Sequence, residues 1–223
     1  DIAQKYLQAF PGAFEPLSDS IDMSVFAPYK VAAATLDGKS YSVPFDSGVT
    51  GLFYRSDYLE EAGFTGADLE NITWDRLVEI GQAVKEKTGK QLLDLDMNDT
   101  GVIRMMMQSA GEWYFNEDGS LHITDNAALK KSLETYAKFY QADLVKPVSG
   151  WAEYTGAFTG GEVAVVPVGV WITATIKANA DQSGKWGVAP IPRLDLEGSV
   201  NASNQGGSSW FLLSSSDNKE EAI

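Results

Sequence analysis

The sequence predicts an α/β chain folded as two lobes around a mainly parallel sheet, and three observations carry that prediction. Helical stretches with one apolar face alternate with short runs of Val, Ile, Leu and Phe, the pattern of helices laid on a buried sheet. Val163–Val168 is apolar throughout, as strands covered on both faces are. Two polar, glycine-containing passages, Val43–Gly48 and Asn204–Ser208, sit where the chain can leave one sheet and enter another. A chain that crosses twice builds a clamshell, and clamshells close on ligands.

The stretch Lys39–Arg55 organises the rest. Ser40–Val43 leads as a strand into Pro44, the polar break Phe45-Asp46-Ser47-Gly48 follows, and Val49–Tyr54 is a β-branched and aromatic run suited to a sheet. Ahead of it, Asp1–Phe10 is short and mixed, Phe14–Ile21 is irregular, and Met23–Ala34 reads as a helix, with Pro28 arguing for a break within it. Asp37-Gly38 signals a hairpin turn. Behind it, Ser56 is expected to cap a helix over Asp57–Ala62, and Thr73 a better one over Trp74–Thr88 that Gly89 ends. Gln91–Leu95 reads as a buried strand and Thr100–Ala110 as a helix capped by Asn98 or Asp99. Met105, Met106 and Met107 in that helix are expected to fill the core. Thr124 or Asp125 is expected to cap a long helix, Ala127–Leu144, with an apolar stripe of Leu129, Leu133, Tyr136, Ala137 and Tyr140. Gly150–Gly161 then carries Trp151, Tyr154 and Phe158. After Gly169-Val170-Trp171 come a helix over Ile172–Ala178, a strand over Trp186–Pro190 and a last strand over Trp210–Ser214.

Composition narrows the function. The 223 residues are 44% hydrophobic, ample for a core, yet no apolar run approaches the roughly 18–20 residues of a membrane span. Seventeen basic against thirty-one acidic residues give a formal charge of −14, which repels nucleic acid and anionic membranes and favours neutral or cationic ligands. Without cysteine there is no disulfide or thiolate metal site, and the single His122, expected on an exposed ribbon without a partner, excludes multi-histidine metal sites. Asp94–Asp99 resembles the start of a calcium loop, but Asp99 stands where such a loop wants glycine and Met105 where it wants glutamate, so no metal is expected. Asp1 opens abruptly and Glu220–Ile223 looks like the opening of a helix, so the chain reads as the middle of a longer protein.

The order of several short motifs resembles one family, the extracellular (periplasmic) sugar-binding proteins of ABC importers, the group that includes maltose-binding protein. The resemblance rests on Asp37-Gly38-Lys39 with Val43-Pro44, Gly51–Tyr54, Ala62-Gly63, Thr73-Trp74-Asp75, Gly111 before Asn116–Gly119, Phe158 with Gly160-Gly161, Gly169–Trp171, Gly187–Pro190 and Gly206–Trp210. It implies a two-lobed periplasmic-binding-protein-like (type II) fold, incomplete at both termini. Residues 1–46 and 204–223 would be parts of the first lobe, 47–203 the second, with hinge crossings near 43–48 and 204–208. It also implies a monomeric substrate-binding component, with no cofactor, that hands a sugar or oligosaccharide to a membrane permease. Such a protein lies in the periplasm or lipid-anchored on the outer face of the cell membrane.

A sugar ring offers an apolar face and a rim of hydroxyls, so a site needs flat aromatics and hydrogen-bonding side chains. Trp171, after Gly169 at the mouth of a helix, is the first candidate, and the family places a stacking tryptophan there; interlobe packing is the alternative. Asp46 and Ser47 at the hinge are next, although Asp46 would also suit the N–H groups of its own turn. Asp99 and Thr100 match a stretch that supplies contacts in relatives, with capping as the rival explanation. Trp151 and Tyr154 are expected to reach the cleft from a loop, Tyr154 more as core. Gly206, Gly207 and Ser208 permit close backbone approach. Trp74, Trp113 and Trp186 are assigned to packing. The competing readings are a two-carboxylate glycosidase and a binder of polyamine or peptide; no nucleophile elbow, phosphate loop or metal motif supports another chemistry.

Overall fold

A computed structural model describes residues 3–223, in which the chain forms two units, Asp1–Gly48 with Gly206–Ile223, and Val49–Gln205. In the first unit, helix α1 (Ala3–Ala9) ends where Gly12 takes a φ of 80°. The stretch over residues 23–34 is broken ahead of Pro28, as that proline suggested, into a 3-10 turn at Met23–Val25 capped by Asp22 and helix α2 (Pro28–Ala32). Pro28 starts α2, the one helical position where its missing N–H leaves no bond unmade. Strands β1 (Thr35–Leu36) and β2 (Lys39–Ser40) form the expected hairpin, its corner made by Asp37 and Gly38 at φ 50° and 76°. The strand expected over Ser40–Val43 is divided, because β2 pairs with β1 whereas β3 (Val43–Pro44) has a different partner.

The second unit begins with β4 (Thr50–Arg55), followed by α3 (Ser56–Glu61), α4 (Trp74–Thr88), β5 (Leu93–Asp96), α5 (Gly101–Ser109), α6 (Ala127–Gln141) and β6 (Val145–Val148). It closes with α7 (Trp151–Thr159), β7 (Val165–Gly169), α8 (Thr173–Lys177) and β8 (Trp186–Ala189). Back in the first unit, β9 (Ser209–Trp210) pairs antiparallel with β3, and α9 spans Lys219–Ala222.

The sheet differs from the expectation of mainly parallel pairing. β4 lies between β7 and β8 and runs antiparallel to both, while β5 and β6 are parallel. The parallel bridge Gln91↔Val163 and the bond from Val165 N to Leu92 O join β7 to the segment leading into β5. The reversed strand is the one that enters this unit directly, without a helical crossover to set its direction. Alternate residues of β4 feed two cores: Leu52 joins Leu77, Ile80 and Val165, and Phe53 joins Phe158, Val166 and Val168.

Capping departs from expectation at α5, where Thr100 and not Asn98 or Asp99 is the N-cap residue, and at α3 and α6. Ser56 is the first residue of α3, not its cap, and its hydroxyl donates to Lys185 O. α6 is capped by Asn126, whose Oδ1 accepts from Leu129 N, in place of Thr124 or Asp125. The buried face of α6 is Ala128, Ser132, Thr135 and Phe139, whereas Leu133, Ala137 and Tyr140 are exposed. Small side chains here let α6 approach α5, whose Met105, Met106 and Met107 fill the core fully buried, and Ser132 satisfies its hydroxyl on Ala128 O. Thr73 and Gly89 cap α4 as expected, Gly89 at a φ of 69°. His122 is not alone: its Nδ1 lies 3.3 Å from Glu112 Oε2. Trp74 is buried against Phe139 and Trp186 packs on Phe158, but Trp113 is half-exposed beside Tyr114. Among the described residues, no helix is long and apolar enough to cross a membrane.

Candidate functional site

Five buried residues of β7 deliver the chain to Gly169, and the turn there needs glycine. A Cβ at Gly169 would lie 2.2 Å from Trp171 Nε1 and 2.6 Å from the Gln205 carbonyl. Val170 N donates to Val49 O, so the backbone N–H beside Trp171 is already bonded. The Trp171 indole N–H donates to Gln205 O at 2.9 Å, which fixes the ring while leaving it 39% exposed.

Trp171 does not stand alone. Trp151 opens α7, a helix where a loop was expected, and its exposed ring sits 5.9 Å from that of Trp171 and 5.9 Å from that of Tyr154. The three rings line one wall of a cavity of about 270 Å³ inside the second unit. Asp94, Asp96 and Asp99 line the same cavity.

The three carboxylates are not equivalent. Asp96 accepts from Asn98 N at 2.9 Å and from Gly150 N at 3.0 Å, so it holds the loop ahead of α7. Asp99, one residue ahead of the N-cap position of α5 and so not its expected cap, accepts from Gly101 N at 3.0 Å and from Arg104 at 2.9 Å. Asp94 is 2% exposed and neither of its oxygens has a partner. Burial pushes its pKa up to about 7; its own N–H and Lys146 pull the other way and Glu162 adds to the rise. Burial likewise holds the Tyr154 hydroxyl well above its ordinary value, with the charges of Asp94 and Asp99 adding to it. The Gln205 side-chain oxygen, also at the cavity, has no partner either.

The remaining candidates fall elsewhere. Thr100 occupies the N-cap position of α5 without a capping bond and does not line the cavity. Asp46, Ser47, Gly207 and Ser208 come together in the first unit. Asp46 Oδ1 accepts from Ser208 N rather than from its own turn, and Ser47 Oγ lies 2.6 Å from Tyr29 Oη. Gly207, at φ 99°, has Lys30 Nζ and Asp46 O within 3.2 Å of where a Cβ would be. Sequence reasoning missed Asp94, Asp96 and Gln205. The Leu-Asp-Leu-Asp alternation of β5 was the available signal, since it puts both aspartates on one face. Among the described residues, no three His, Asp or Glu side chains converge to hold a metal ion.

Comparison with known proteins gives a consistent result. The pattern of the family described as bacterial extracellular solute-binding protein matches residues 2–223. A lactose-binding protein of Rhizobium radiobacter is 59% identical over 221 residues, covering 99% of this chain and 52% of the relative. An arabinooligosaccharide-binding protein of Halalkalibacterium halodurans is 26% identical, over 97% of this chain and 49% of its own length. The chain thus spans about half the length of these relatives. Among solved structures, the ABC transporter associated binding protein from B. animalis subsp. lactis Bl-04, in complex with β-1,6-galactobiose, matches with a TM-score of 0.83 at 23% identity. That match covers 99% of this chain and 55% of the other. The GacH receptor of Streptomyces glaucescens matches at TM-score 0.78 and 22% identity, over 98% and 56%.

Proposed function

Because the chain belongs to the bacterial extracellular solute-binding protein family, we propose that its whole protein is the capture component of an ABC sugar importer. In this reading it binds a sugar or short oligosaccharide outside the cytoplasmic membrane, as a monomer, and delivers it to permease subunits without chemical change. The carrying observation is the wall of Trp151, Tyr154 and Trp171 beside carboxylate and amide acceptors that lack partners. Stacked rings cover the apolar face of a pyranose, and free acceptors take its hydroxyls. The relative at 59% identity makes lactose the first ligand to try. The same reading makes Asp1–Gly48 with Gly206–Ile223 a portion of one lobe and Val49–Gln205 most of the other.

Three carboxylates near three aromatic rings also suit a cation such as a polyamine. Two of the three are already bonded to backbone N–H groups or Arg104, which leaves one free acceptor and favours the neutral sugar. The formal charge of −14 argues against a nucleic-acid partner. Calorimetric titration of the complete protein with lactose, β-1,6-galactobiose, an arabino-oligosaccharide and spermidine tests the assignment. Saturable heat from one of the sugars supports it; heat from spermidine alone replaces it with the cationic reading.

A further inference from the structure

We propose that Asp94 is the specificity-determining acceptor of this cavity, taking hydrogen bonds from the hydroxyls of the sugar unit that seats against Trp151 and Trp171. The inference deepens the sugar-binding reading and rests on it. Its basis is geometric. Asp94 projects from β5 on the same face as Asp96, is 2% exposed, lines the cavity, and has no hydrogen-bond partner for either oxygen.

A buried carboxylate with no partner costs folding free energy, so its retention needs a compensating donor. The neighbouring groups do not supply one. Lys146, paired with Asp94 in register on β6, bonds Glu162 at 2.5 Å, and Arg104 bonds Asp99. A ligand rich in O–H donors does supply it. Both oxygens are shielded from solvent, so engagement takes side-chain rotation at the cavity wall, a change ligand binding commonly brings. A site whose buried acceptor must be paired rejects an analogue lacking the matching hydroxyl far more strongly than stacking alone can. Trp151 and Trp171 then set the affinity for a pyranose face, and Asp94 decides which pyranose.

The test uses the complete protein, lactose and the set of monodeoxy-lactoses. Asp94→Asn is expected to weaken lactose at least ten-fold at pH 7.5 and to leave the ligand-free melting temperature unchanged or raised. One monodeoxy-lactose is expected to bind wild type at least ten-fold more weakly than lactose, and to lose nothing further in Asp94→Asn. Should the variant fail to fold, wild type alone decides. Hydroxyl donors favour the ionised carboxylate, so lactose affinity is expected to rise about ten-fold from pH 6 to pH 8, while the critical deoxy analogue stays flat. The charged groups that act on Asp94 are Lys146 and Glu162, and Asp94 together with Asp99 acts in turn on the Tyr154 hydroxyl of α7. Wild-type binding of lactose with Asp94→Asn equally tight, or with a flat pH profile, overturns this inference alone. Absence of any sugar binding by wild type overturns the sugar reading and this inference with it.

Discussion

Trp171 and Gln205 are tied by a single hydrogen bond, from the indole N–H to a backbone carbonyl at 2.9 Å, across 34 residues of chain. The bond orients the ring that fronts the cavity and pins residue 205 at the boundary of the second unit. Trp171→Phe keeps an aromatic face and removes the bond. Stability is expected to fall by about 1 kcal/mol, and sugar affinity of the complete protein by roughly three- to ten-fold. Urea denaturation and calorimetry read the two effects separately.

Gly169 makes that arrangement possible, because a Cβ would sit 2.2 Å from the Trp171 indole nitrogen and 2.6 Å from Gln205 O. Gly169→Ala forces the ring or the backbone to move. A loss of about 1–3 kcal/mol is expected, with sugar affinity falling in parallel. An alanine variant as stable and as tight as wild type would show the contact is not maintained in solution.

Asp94 gives a pH signature of the opposite sign to ordinary acid denaturation. Burial raises its pKa to about 7 in the fold, well above the ordinary carboxylate range, so the folded state holds a proton there that the unfolded chain releases. The stabilisation is full below about pH 4 and is lost as pH rises through 7, on the order of 4 kcal/mol at most. Asp94→Asn is expected to remove this slope. The comparison of melting temperatures between pH 5 and pH 8 in both proteins isolates it from Asp57 and Asp75, whose pKa values are lowered by Arg55 and by Lys138 and Lys131 despite partial burial.

The core prediction is simpler. Phe139 is fully buried and meets Trp74 edge-on with ring centroids 6.1 Å apart. Phe139→Ala is expected to cost about 3–5 kcal/mol, which thermal unfolding detects as a fall of roughly 10 °C or more.

The sequence made some of this legible and hid the rest for physical reasons. The apolar run at Val163–Val168 and the Thr73 and Gly89 caps of α4 announce themselves, because strand burial and capping leave local signals. The fold implied by the family resemblance is the fold of the solved sugar-binding structures that the chain matches. The buried face of α6 was misread because Ser132 and Thr135, polar by type, are fully buried, while Leu133 is left outside. The direction of β4 depends on which unit the chain arrives from, and no local pattern records that. At the site, Trp171 was readable beside Gly169, but Asp94 was not: its lack of a partner is a property of the assembled cavity.

The central claim is that the aromatic wall of the second unit holds a sugar ring. Tryptophan fluorescence of the complete protein, titrated with lactose for wild type and Trp171→Ala, tests it most directly. A saturable change in wild type with affinity reduced at least ten-fold in the variant is the predicted result. Equal affinity in the two proteins would contradict it.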